Sequence, residues 1–125
     1  MRLLLICLGG AAGTGLRYGA AVLGARWLGA EFPYATVFVN LAGSFAIGLV
    51  QHVALAAAMP ETLRLVLVTG VLGGFTTYSA FSYETLRLMQ SGAWGRASLN
   101  VLVTTAGCLA LCAAGMAVGR AFKGG

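Results

Sequence analysis

Polar side chains interrupt long apolar runs at only a few positions in this sequence, and those positions are where ions could be handled. Arg17 lies about 22 Å along a helix from Arg2, at 1.5 Å per residue. It could snorkel to an interface or tie down a loop, and a structural role is the expectation. Asn40 is followed one turn later by Ser44, on the same helical face. Its amide could form an interhelical hydrogen bond or donate to an anion. Gly73-Gly74-Phe75-Thr76-Thr77 pairs two glycines with two β-branched residues, which is a poor continuous helix. A break at Gly73-Gly74 would free backbone carbonyls, the type of ligand that coordinates Na⁺ in broken transporter helices. Tyr78 and Phe81 share a face just beyond. Aromatic rings are positive at their edges, so this pair could line an anion path or simply pack. Asn100, Thr104, Cys108 and Cys112 recur every fourth residue as one weakly polar stripe. That stripe could be a donor track or a packing seam. Glu84 could pair with Arg87 or Arg17, and Gln51 and His52 close an apolar run at an interface. No nucleophile, base and orienting group occur together, so an enzyme is not expected.

These residues need elements that can hold them in an apolar medium. Of 125 residues, 59% are hydrophobic and 9% charged, against roughly 25% charged in soluble domains. A bilayer span takes about 20 mainly apolar residues. The pattern predicts an all-α integral membrane domain covering residues 1–125. Its four spans are expected at about 3–23, 34–58, 63–89 and 97–118, the third broken near its middle. The first apolar run exceeds the roughly 7–15 residues of a signal peptide and is read as a span. Eight basic residues against three acidic ones give a net charge of +5, but the basic residues are scattered singly, so no nucleic-acid surface is expected. Cys7, Cys108 and Cys112 lie within apolar segments without metal-ligand spacing and read as packing residues. The run from Gly9 to Gly15 mimics a nucleotide loop, yet no βαβ context surrounds it. Its glycines suit close helix packing instead.

An even number of spans places both termini on one side. Arg2, Arg64, Arg120 and Lys123 then share that side, while Arg26, Arg87 and Arg96 share the other. So small a bias under the positive-inside rule predicts insertion in both orientations. Two such chains can form an antiparallel homodimer with a two-fold axis in the membrane plane, the inverted-repeat arrangement of transporters.

Three motifs carry a resemblance. Span one reads Gly9-Gly10-x-x-Gly13-Thr14-x-x-Arg17-Tyr18. Span two reads Thr36-x-x-Val39-Asn40-x-x-Gly43-Ser44-Phe45-x-x-Gly48. Span three reads Gly73-Gly74-Phe75-Thr76-Thr77-Tyr78-Ser79-Ala80-Phe81-Ser82-Tyr83-Glu84. In this order and at this length, the chain resembles the bacterial Fluc-type fluoride ion channel family across all four spans. Three residues depart from that pattern: Thr14 stands for a usual Ala, Tyr78 for a Phe and Ala80 for a Thr.

The resemblance implies a dual-topology homodimer in the bacterial inner membrane that passes fluoride down its gradient. It implies a structural, untransported Na⁺ at the dimer centre, held by carbonyls of Gly73 and Thr76. It places Asn40, Tyr78, Ser79, Phe81, Asn100 and Thr104 along the fluoride pathway, and gives Arg17 and Glu84 structural or vestibular roles. One alternative is a small dual-topology multidrug or cation antiporter, which is expected to need a carboxylate in span one; none is present there. Another is a non-conducting accessory subunit of a heterodimeric channel.

Overall fold

A computed structural model describes residues 1–122 in full and the backbone of residues 123 and 124. Lys123, counted above among the basic residues, therefore lies outside the described side chains. Helix α1 (Arg2–Leu28) runs past the expected end at 23 and stops where Gly29 takes φ 85°. Glycine adopts that left-handed region without a Cβ penalty. Pro33 then precedes α2 (Tyr34–Ala56). Pro60, with its fixed φ and no N–H, precedes the short α3 (Glu61–Leu65), whose first residue is acidic. Its carboxylate complements the positive end of the helix.

The third span continues as a π-helical segment (Val66–Leu72) and a last helical turn, α4 (Gly73–Phe75). Thr76 and Thr77 are extended, and α5 (Tyr78–Gln90) completes the crossing. A turn at Gly92, with φ 85°, leads into α6 (Trp94–Gly124). No strand occurs among the described residues. Four helical segments, the third running Glu61–Gln90, are long and apolar enough to cross a membrane. Large apolar side chains such as Leu3, Leu16, Phe38, Leu102 and Leu109 are exposed along them. In water such a surface would aggregate; facing lipid or another chain it is satisfied. The chain is a multi-pass membrane protein.

The break differs from expectation in position. It lies at Thr76-Thr77, not at Gly73-Gly74. The glycines serve close approach instead. A Cβ on Gly74 would run into the Gly10 carbonyl of α1, and one on Gly70 would sit 2.7 Å from the Ile6 carbonyl. In return, a Cβ on Gly9 would sit 2.8 Å from the Val66 carbonyl. Helix α1 and the first half of the third span thus lie backbone to backbone, the small-residue contact that replaces hydrophobic driving force in lipid. Helices α2 and α6 form the other closely packed pair, with Gly48 against the Cys112 carbonyl and Gly115 against the Phe45 carbonyl. His52, expected at an interface, packs on Gly119 of α6, and its Nδ1 is buried without a hydrogen-bond partner.

The ends of the spans gather charge. Arg2 donates to Thr62 Oγ1 at 3.1 Å and lies 3.8 Å from Glu61, which also faces Arg64 at 3.9 Å. At the opposite end Arg96 lies 3.4 Å from Glu31. All four carboxylate and guanidinium partners in the two Arg2–Glu61 and Arg96–Glu31 pairs are solvent-exposed, so each pair contributes little stability.

Candidate functional site

Thr76 closes the first half of the third span. Its N–H and its Oγ1 both donate to the Leu72 carbonyl at 3.0 Å. Thr77 opens the second half, its Oγ1 accepting the Ala80 N–H at 3.2 Å as an N-cap. Between them the backbone is extended and needs partners from elsewhere. Asn40, buried on α2, supplies them. Its Oδ1 accepts the Thr77 N–H at 2.8 Å, and its Nδ2 donates to the Thr77 carbonyl at 3.0 Å. One side-chain amide thus pairs with the N–H and C=O of one residue as a neighbouring strand would. Arg17 donates from Nε to the Gly74 carbonyl at 3.0 Å. It therefore reaches neither interface nor loop; it satisfies a carbonyl at the end of a broken helix, where cations are favoured by the helix dipole.

These choices account for two of the carbonyls that the break leaves without helical donors. In a continuous helix the Thr77 N–H would bond to Gly73 O, but it is given to Asn40. The Ala80 N–H would bond to Thr76 O, but it is given to Thr77 Oγ1. Gly73 and Thr76 each keep a backbone oxygen without its helical donor. Neutral oxygens of this type suit a hard cation.

A cavity of about 520 Å³ opens along this break. Asn40, Gly43 and Ser44 line it from α2, Gly73, Thr76, Tyr78 and Phe81 from the third span, and Thr104 and Cys108 from α6. The Tyr78 and Phe81 rings meet edge to face, with centroids 5.5 Å apart. Phe81 is buried, whereas Tyr78 is 79% exposed on the single chain. Six of the residues singled out in the sequence (Asn40, Gly73, Thr76, Tyr78, Phe81 and Thr104) thus share one groove.

Others do not line it. Ser79 is exposed, and its hydroxyl lies 3.2 Å from Thr77 Oγ1. Asn100 is fully buried behind Thr104, whose hydroxyl donates to Asn100 Oδ1 at 3.4 Å. Glu84 has neither of the ion pairs expected of it with Arg87 or Arg17. Its Oε1 is buried without a hydrogen-bond partner beside a second cavity of about 380 Å³. Arg87, Ser91 and Arg96 line that cavity too, with Glu31 across from them. Arg87 shares only the lining of this cavity with Glu84.

Thr85 was not singled out by the sequence. It is buried, accepts from Asn100 Nδ2 at 2.8 Å and donates to the Phe81 carbonyl at 2.7 Å. Its place four residues after Phe81 puts it on the same face, which is the signal that could have found it. The polar stripe on α6 is therefore a bonded chain at Asn100 and Thr104, while Cys108 faces the groove as a free thiol.

Residues 4–116 match the family described as "CrcB-like protein, Camphor Resistance (CrcB)". A protein of Thermus thermophilus named "Fluoride-specific ion channel FluC" is 54% identical over 98 residues, 78% of each chain. Proteins of the same name from Anaeromyxobacter dehalogenans and Magnetococcus marinus are also similar. The first is 48% identical over 110 residues, 87% of each chain; the second is 44% identical over 121 residues, 96% of this chain and 98% of that one. With the match spanning all four crossings, the broken third one included, the chain belongs to the CrcB-like family.

Proposed function

We propose that this protein is a fluoride-selective channel that lets fluoride leave the cell down its gradient. The observation that carries the reading is the groove itself, where an amide, two aromatic rings and a hydroxyl converge beside a helix break in an otherwise apolar protein. Relatives named as fluoride-specific channels support it. Fluoride is small and holds water tightly, so a path must replace that water with close donors. Asn40 and Thr104 are the polar residues that line the path and Tyr78 and Phe81 its rings, while Asn100 stands behind Thr104 and Ser79 lies outside the groove. Ring edges attract an anion electrostatically without offering a proton to abstract. Channel function needs no covalent step, and the protein is not an enzyme in this reading.

The working unit is an antiparallel homodimer in the bacterial inner membrane. The exposure of Tyr78 and the open groove favour a second chain over lipid at this face, because lipid would strand the free carbonyls. Two chains would bring the Gly73 and Thr76 carbonyls of each toward one Na⁺, and that ion would offset the partial charge of oxygens left by the break. Arg17 and Glu84 act structurally and at the mouth.

Purified protein in liposomes, assayed with a fluoride electrode, should release fluoride far faster than chloride. Protein prepared without Na⁺ should conduct poorly and recover when Na⁺ is restored. Equal fluoride and chloride rates, or no release with Na⁺ present, refute the channel reading. A multidrug antiporter would instead couple uptake of an organic cation to a proton gradient. An accessory subunit would conduct only when mixed with a second, different chain.

A further inference from the structure

The buried chain Thr104–Asn100–Thr85–Phe81 has a direction that its chemistry fixes. The Phe81 carbonyl can only accept a hydrogen bond. Thr85 Oγ1 lies 2.7 Å from it and must donate its single hydrogen there. Thr85 can then only accept from Asn100, so the group 2.8 Å away is the amide nitrogen. The amide oxygen consequently faces Thr104, which must donate across 3.4 Å. Asparagine orientation is ordinarily ambiguous, but here the carbonyl at the far end removes the choice. The first two bonds are short and the last is near the limit for a hydroxyl. Thr104 is also the member of the chain, with Phe81, that lines the groove.

We propose that Thr85 is a positioning residue for the anion path. Resting on the channel reading above, the inference is that Thr85 fixes the Asn100 oxygen against Thr104. It thereby makes the Thr104 hydroxyl a returnable donor. Asn100 holds that hydrogen weakly when the groove carries no anion. An anion in the groove accepts that hydrogen bond instead, the hydrogen staying on Thr104 Oγ1, and Asn100 accepts it again as the anion leaves. Without Thr85 the amide has no fixed partner, and the Thr104 hydroxyl has no assured place to return. The same Thr85 bond ties the Phe81 turn to α6, so ring and hydroxyl stay in register.

Two substitutions separate this role from packing. Thr85→Val keeps the shape and removes the hydroxyl; Thr85→Ser keeps the hydroxyl and removes a methyl. Positioning predicts that T85V lowers fluoride efflux from liposomes at least tenfold, while T85S stays within twofold of wild type. Packing alone predicts the reverse order, and that result overturns the proposal. Thr104→Val removes the other end of the chain. T85V combined with T104V should be no slower than the slower single variant, because both act on one unit. Multiplying losses overturn the proposal as well. If T85V does not elute as a monodisperse species, T85S and T104V decide: T85S slowed tenfold, or T104V at wild-type efflux, refutes it. Conducting wild-type protein with T85V at full rate refutes the role of Thr85 alone. Wild-type protein that releases no fluoride refutes the channel reading and this inference with it.

Discussion

Asn40→Ala tests the break most directly. The substitution strips the Thr77 N–H and C=O of their partners, at 2.8 Å and 3.0 Å. A buried polar group left unpaired costs about 1–3 kcal/mol, so two would cost roughly 2–6 kcal/mol if nothing moved. Something can move. The Thr77 N–H is free to turn back toward Gly73 O and close a helical turn, which recovers one of the bonds. Interhelical hydrogen bonds in membrane proteins also average only about 0.6 kcal/mol and reach about 1.7 kcal/mol. The net loss should then be about 2 kcal/mol, or roughly thirtyfold in the population of the open break at 1.4 kcal/mol per tenfold. The relaxed form spends the Gly73 carbonyl on the helix, so the same change should weaken any cation held there. Fluoride efflux should fall by roughly thirtyfold, and thermal unfolding in detergent should lose its dependence on Na⁺. Efflux within twofold of wild type, with Na⁺-dependent unfolding retained, would show that Asn40 does not hold the break open.

Arg17→Met should cost about 1.5–3 kcal/mol, the worth of a hydrogen bond from a charged group, because Gly74 O loses its donor; detergent melting curves read this, and an unchanged midpoint contradicts it. Gly74→Ala should fail to yield a monodisperse protein in gel filtration, since the new methyl meets the Gly10 carbonyl, which cannot rotate away as a side chain would. Gly15→Ala makes the control, because nothing lies near a Cβ there. Tyr78→Ile should keep the fold, as the side chain is exposed on the single chain. It should still lower fluoride efflux roughly two- to tenfold, from about 0.5–1.5 kcal/mol of aromatic pairing. An isoleucine variant as fast as wild type would remove the ring edge from the pathway.

The four crossings were legible because an apolar run of membrane length has few alternatives. The groove was legible in outline because Asn40 and Thr104 are polar groups inside such runs, and Tyr78 and Phe81 place two rings on one face. The position of the break was not. Gly73-Gly74 looks like the weak point when propensity is judged along one helix, but glycine also answers to its neighbours. The Gly10 carbonyl explains Gly74, and the Asn40 amide on another helix draws Thr77 out of the helix. Both are long-range contacts, invisible to a local reading. Arg17 shows the same limit: its depth was evident, while its partner, Gly74 O, was not. Thr85 was passed over because a threonine beside Glu84 on an amphipathic helix reads as surface. It is buried and bonded to Asn100 of α6, a contact from another helix.

The two-piece third crossing also constrains how the protein is made. The piece Tyr78–Gln90 has 13 residues and reaches about 20 Å, short of a hydrocarbon core of about 30 Å. It is preceded by two extended threonines, and the Thr77 backbone would be stranded in lipid without Asn40. The segment as a whole, 30 residues from Glu61 to Gln90, is ample. The crossing is therefore long enough only as a whole, and its break is tenable at membrane depth only where α2 brings Asn40 to the Thr77 backbone. Without the second crossing beside it, the segment should lie as one unbroken helix.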